Sequence, residues 1–170
     1  MTKGYEEQMK KGLFLSFLFI FLGFNFSCQS AVSPGAIGRK LFDSLKTNSN
    51  SNIDNFSSLF LKSEDGNALY RELLTKAPKR GVNDWNKIEY VDYIHKEFIK
   101  KGIKYSSGCL VIKLNGDSDY YYLGIFLLNI QVGNEYKILE SNDNWSRNST
   151  APSKEDLLEA LDDIEESWVN

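Results

Sequence analysis

The residues of this chain that could do chemistry are few. There is one histidine, His95. It falls at a partly apolar position, where a lone imidazole is most often a hydrogen-bonded structural group. The two cysteines, Cys28 and Cys109, show neither metal-binding nor redox spacing. Cys109 stands between Gly108 and Leu110 at a strand start, the setting of a small buried side chain and not of a nucleophile. No HExxH, CxxC, phosphate-binding glycine loop or GxSxG elbow occurs. Asp117 and Asp119 share a turn with Gly116, but the ligand spacing of a calcium loop and its closing glutamate are missing. Asp92 and Glu97 flank His95, and Tyr120, Tyr121 and Tyr122 are consecutive. Such tyrosines usually pack a sheet and leave their hydroxyls at its rim. The residues therefore define no catalytic constellation, no metal site and no cofactor site. Tyr120, Tyr122, His95 and Trp168 remain as candidate contacts to a ligand or partner.

The segment that decides where these residues act runs from Met9 to Cys28. Lys10 and Lys11 form a basic start, Gly12 to Phe26 is uncharged and rich in Leu, Phe and Ile, and the small Ser27 precedes Cys28. This is the pattern of a secretory signal. As a helix the apolar run reaches roughly 22 Å, short of a ~30 Å hydrocarbon core, which favours a cleaved signal over a permanent span. Read from Met9 the chain begins Met-Lys-Lys, whereas the preceding stretch adds Glu6 and Glu7 to the basic start. Met9 is therefore the expected start.

From Met9 to Cys28 the chain resembles a bacterial lipoprotein signal peptide. In that family the cysteine carries the lipid, and the three residues before it form a lipobox, here Asn25, Phe26 and Ser27. Ser27 fits the small residue; Asn25 and Phe26 depart from the usual Leu and small residue. The resemblance implies a signal peptide at residues 1–27, lipid attachment at Cys28 and a tether at 28–33. Gln29 follows Cys28 where an Asp would imply retention at the inner membrane, so outer-membrane sorting is implied. Ordinary secretion into the periplasm or medium, with Cys28 a bystander, and an uncleaved anchor are the alternatives. Acylation of Cys28 leaves Cys109 without a partner; a free Cys28 leaves a Cys28–Cys109 disulfide open.

Removing residues 1–27 takes away three lysines and two glutamates and leaves 143 residues with 17 basic and 21 acidic side chains. That is enough for one domain with a single core, residues 34–170. The acidic balance argues against a nucleic-acid partner, which would demand a basic stripe. It also supplies no polybasic patch for anionic lipid.

The periodicity predicts helices first and strands after. Ser33-Pro34 opens a helix with Ile37, Leu41 and Leu45 on one stripe through about Lys46. Thr47 to Asn52 breaks it. A second helical stretch starts at Asp54 with Ile53, Phe56, Leu59 and Phe60 apolar. It is interrupted at Ser63-Glu64-Asp65-Gly66 and resumes over Asn67 to Lys76. Asp84 caps an expected third helix, Trp85 to about Lys101, ending at Gly102. Strands are expected at Cys109–Leu114, Tyr120–Val132 and Glu135–Glu140, joined by tight turns into an antiparallel meander. The middle strand is apolar on both parities, so both faces should be covered. Gly124 within it is expected to mark a bend or bulge. Asn142 to Pro152 reads as an irregular loop. Ser153 then opens a last helix in a capping-box arrangement with Asp156. Leu157, Leu158, Leu161, Ile164 and Trp168 line one side of that helix, and seven carboxylates lie on its other side.

The fold class is thus α+β: N-terminal helices on a curved antiparallel sheet of about three or more strands, with an acidic amphipathic C-terminal helix. Helices followed by a meander reading YYYLGIFLLNIQVGNEYKILE resemble the cystatin-like α+β roll, in particular small exported members of the nuclear transport factor 2-like superfamily. The resemblance covers roughly Pro34 to Asn142; the acidic C-terminal helix departs from it. It implies a cone-like cavity between sheet and helices that is either catalytic or only binds. Three functions are therefore expected in order. The first is an envelope lipoprotein whose non-catalytic domain binds a protein or a small apolar ligand. The second is a roll-type proton-transfer isomerase or dehydratase using a buried carboxylate or tyrosine. The third is an envelope assembly factor whose acidic helix holds a basic partner.

Overall fold

The computed structural model describes residues 33–46 and 50–169. The export segment and Cys28 lie outside the described residues. Three helices come first: α1 (Pro34–Lys46), α2 (Asn50–Ser57) and α3 (Ser63–Lys76). Ile37, Leu41 and Leu45 of α1 are sealed from solvent on one stripe, as their four-residue spacing requires. Ser63 to Gly66 does not interrupt a helix, as the sequence led us to expect, but forms the first turn of α3. Glu64 and Asp65 there suit the positive end of the helix dipole. Gly66 lets that turn lie against Phe60 and the backbone of Ser57.

The expected third helix is a strand. Only Trp85–Lys87 is helical, as a single 3-10 turn capped by Asp84, whose Oδ1 accepts the Asn86 N–H at 2.9 Å. Strand β1 then runs from Glu89 to Lys100. Its Tyr90, Val91, Tyr93, Ile94, Phe98 and Ile99 are aromatic or β-branched, types that fit a pleated surface better than a helix. Gly102 does not stop a helix but closes a hairpin. Lys101 and Gly102 both have positive φ, 51° and 79°, between the paired Lys100 and Ile103. This is the two-residue turn whose twist matches that of the flanking strands.

Strands β2 (Ile103–Asn115), β3 (Tyr120–Val132) and β4 (Glu135–Arg147) complete an antiparallel sheet in the order β1-β2-β3-β4. β2 begins six residues earlier than the apolar pattern indicated, because Ser106, Ser107 and Gly108 are buried in the sheet despite their small or polar character. β4 extends through the stretch read as a loop, because its outer positions Asn142, Asn144 and Ser146 face solvent and are polar for that reason. Gly124 pairs regularly with Val111 and Asn144; the one irregularity between β3 and β4 is at Leu128/Asn129.

The two faces of the sheet are covered by different parts of the chain. Leu110, Ile112, Leu123, Ile125 and Leu127 pack with Ile37, Leu41, Phe56 and Leu73 into the main core under α1–α3. Ile94, Cys109 and Val111 form a second, smaller core with Leu157 and Leu161 of α4 (Lys154–Val169). The α4 start is a capping box: Asp156 N–H donates to Ser153 Oγ at 3.1 Å, and Ser153 N–H donates to Asp156 Oδ2 at 3.2 Å. The fold is α+β with an open four-stranded antiparallel sheet. At its far edge, β4 exchanges main-chain bonds with the α2–α3 connection, Leu61 N–H to Ile138 O (2.7 Å) and Ile138 N–H to Leu59 O (2.8 Å). Among the described strands, only β1 offers an edge with no such neighbour.

Candidate functional site

The four candidate contacts do not converge. His95 projects from β1 on the face of the main core, exposed, with its ring stacked on Tyr93 at 5.7 Å and 16°. Its Cε1 lies close to Gly35 at the start of α1. Tyr120 and Tyr122 project from the opposite face of β3 and meet edge to face at 5.9 Å, with Lys113 Nζ 5.4 Å above the Tyr120 ring. Trp168 belongs to the last turn of α4, half-buried. The α4 chain enters near Tyr122 and runs toward Phe98–Lys100, so Trp168 and Tyr120 lie toward opposite ends of that helix.

Asp92 and Glu97 have separate partners. Asp92 accepts the N–H of Tyr93 at 2.7 Å and is exposed. Glu97 instead accepts a hydrogen bond from Tyr136 Oη at 3.1 Å, beside a hollow of about 190 Å³ bounded by Phe98, Ile99 and Lys104. Burial first, and then Glu97, raises the Tyr136 hydroxyl above its ordinary value, so it stays a donor at neutral pH. Cys109 is sealed under α4, and burial pushes its thiol up to about 12. A thiol so shielded is neutral and inert. The Tyr93 hydroxyl is likewise raised, mainly by burial.

A hollow of about 600 Å³ runs between β1 and α4. Its floor is Phe98, Ile99 and Lys100. Successive strand residues point to opposite faces, so three consecutive ones line a single hollow only along the outer edge of the strand. Its wall is four carboxylates of α4: Asp162, Asp163, Glu165 and Glu166. Comparison with known protein families, with curated proteins and with solved structures finds no match to this chain.

The residues themselves must therefore carry the reading. Leu157 and Leu161 seat α4 on the sheet, which turns its next-door Asp162, Asp163, Glu165 and Glu166 toward the β1 edge. Lys96 reaches up from β1 to pair with Asp162 and pins the helix over the strand. Phe98 stacks on Tyr105 at 5.6 Å and 15°, which fixes an apolar floor. Ile99 is 67% exposed, the most exposed large apolar side chain among the described residues, and Ile103 beside it is 43% exposed. The arrangement combines a floor of Phe98 and Ile99 ending at Lys100, an open strand edge and a wall on which acids outnumber the lysines beside them. It can hold a cationic group with an apolar stem, such as a lysine or arginine side chain. The acidic helix was visible in the sequence; its Phe98–Lys100 counterpart was not, because that stretch was assigned to a helix. The type of its residues, and the Lys-Gly turn that follows, were the available signals.

Proposed function

We propose that this chain is an exported lipoprotein whose α+β domain is a non-catalytic binding module at the cell envelope. In this reading residues 1–27 direct export, Cys28 takes the lipid, and the short tether to Ser33 holds the domain close to the membrane, with outer-membrane sorting. Several acyl chains on one cysteine, at roughly 0.8 kcal/mol per buried CH₂, would hold it there. The helix-then-meander order is consistent with the resemblance to the cystatin-like roll. The observation that carries the binding function is the acid-walled groove along β1, which favours a cationic protein partner over a small apolar ligand.

The space that a roll enzyme would use as its cavity is occupied here by side chains: Leu110, Ile112, Leu123, Ile125 and Leu127 have no exposed surface. That supports a binding module over a proton-transfer enzyme. The Glu97–Tyr136 pair is the one feature that speaks for the enzyme, and its tyrosine proton is already committed to the carboxylate. The test is expression of the full chain and its Cys28→Ala variant in a bacterial host with labelled palmitate, with a photocrosslinking residue at position 99. Label confined to the parent chain, in the membrane fraction, together with crosslinks that vanish when Asp163 and Glu165 are changed to Asn and Gln, is the expected result. A soluble, unlabelled product would overturn the anchor, and crosslinks indifferent to the acids would overturn the binding face.

A further inference from the structure

Four observations meet at the outer edge of β1. The strand is the one edge of the sheet that no described segment covers, whereas β4 is closed by its bonds to Leu59 and Leu61. Its register with β2 is unbroken from Asp92 to Lys100, the only irregularity lying before it at Tyr90/Asp92. Hollows lie on both sides of Phe98–Ile99, one under α4 and one beside Glu97 and Tyr136. An exposed isoleucine, Ile99, stands between them. An uncovered, regular edge strand is a template for another strand. In a two-residue hairpin Lys100 and Ile103 form a hydrogen-bonded pair, so alternation leaves the N–H and C=O groups of Ile99, Glu97 and His95 directed away from β2.

We infer that the groove takes an extended, basic segment of a partner protein, which adds to β1 as a fifth strand. This rests on the binding-module reading and specifies its mode. A strand added to β1 would present alternate side chains to the two faces of the sheet. Those on the α4 face meet Asp163 and Glu165, beside Asp162, which Lys96 already pairs, and lysine or arginine complements them. Those on the other face lie beside Ile99 and Tyr136, and an apolar residue fits there. A second copy of this chain is a poor occupant. Two β1 strands paired antiparallel about a twofold axis would set α4 beside its own copy on one face, and each α4 carries seven carboxylates and a single lysine.

The test uses the full chain in neutral detergent and a fluorescent octapeptide alternating lysine and valine, read by polarisation. Two further peptides carry N-methyl groups on the valine amides alone or on the lysine amides alone. One alternate set of amides must face β1 and the other must face away. Methylating one set should weaken binding by about ten-fold or more, and methylating the other should leave it unchanged. Neutralising Asp163 and Glu165 as Asn and Gln should weaken the parent peptide by a similar factor and flatten its salt dependence. Equal binding of all three peptides, still sensitive to the acids, would overturn strand addition and leave the cationic groove standing. No binding of any peptide would overturn both. A stable dimer of the peptide-free chain would also overturn the inference, because the edge would then belong to a second copy.

Discussion

Replacing Gly38 by alanine tests how α1 is seated on the sheet, and the two effects involved have opposite signs. A glycine inside a helix costs about 0.5–1 kcal/mol relative to alanine, so Gly38→Ala on an open face would stabilise the protein. Here a Cβ at position 38 would lie 2.2, 2.3 and 2.7 Å from Cγ, Cδ2 and Cδ1 of the Tyr93 ring. Carbon atoms pack at about 3.5–4.0 Å, so the helix or the ring must move by more than about 1 Å. The far end of the ring is already drawn close to the backbone of β2, where a Cβ on Gly108 would fall 2.3 Å from its hydroxyl, so little room is left for the ring to move that way. Overpacking of this kind costs typically 1–3 kcal/mol, and confinement at both ends of the ring puts it at about 3. The net loss is then about 2 kcal/mol. With a urea slope of roughly 1–3 kcal/mol/M, the unfolding midpoint should fall by about 1 M. Gly35→Ala is the internal control. It is exposed, and its added Cβ would meet only the tip of the His95 ring at 3.3 Å, so it should change the midpoint little. A Gly38→Ala midpoint equal to or above that of the parent chain would refute the account of a ring pinned between two glycines.

Four further outcomes are expected. Asp143→Asn removes the partner of Lys76 (2.9 Å) and of Trp145 Nε1 (2.6 Å) and should cost about 2 kcal/mol in urea unfolding; Glu72 retains Lys76, so a larger loss is not expected. Asp119 is held below the usual carboxylate range, first by its hydrogen bond from Asn148 and then by Arg147. A depressed folded value contributes stability that is complete above the unfolded pKa near ~3.9 and is lost as pH falls through the folded one; Asp119→Asn should therefore unfold like the parent at the lowest pH, diverge as pH rises toward about 4 and keep a constant difference above it, and an offset that persists unchanged to the lowest pH would contradict this. Ser153→Ala breaks the α4 cap at a cost of about 1 kcal/mol, read as roughly five-fold faster amide exchange in the first turns of α4. In a Cys28→Ala chain Cys109 should resist maleimide at pH 8 until denaturant is added; stoichiometric labelling of the folded chain would show that α4 does not seal it.

The sequence was most legible where one local rule acted alone. The α1 stripe at Ile37, Leu41 and Leu45 has only one periodic interpretation, and the helix spans Pro34–Lys46. β3 is apolar on both parities because both faces are buried, and its expected limits, Tyr120 and Val132, are those of the strand. The Ser153–Asp156 box carries its own partners within three residues. Legibility failed where two periods coincide. From Ile88 into β1, Ile88, Val91, Ile94 and Phe98 fit a helical stripe, while the strand buries Tyr93 and Ile94 on opposite faces. Several of its exposed positions, Glu89, Asp92 and Glu97, carry charge, and such an edge imitates the polar face of a helix. The extra length of β4 was hidden in the same way, since Asp143 reads as a loop acid until Lys76 of α3 is beside it. For the site, the acids of α4 were evident and their use was not. The groove exists only because β1 lies alongside, a relation between residues more than sixty positions apart.

The order β1-β2-β3-β4 also governs how the molecule assembles in time. Each strand pairs with its neighbour in sequence across a connection of two to four residues, so the sheet closes through small loops that are quickly sampled. Its two covers close through large ones: 67 residues separate Lys76 from Asp143 under α3, and 66 separate Lys96 from Asp162 under α4. Changes at the Lys101-Gly102 turn should act on the refolding limb of a chevron, and changes at the covers on the unfolding limb. A chain that threads through a membrane before folding would thus have its template within reach of the first hairpin, and would wait longest for the helix that walls the hollow beside β1.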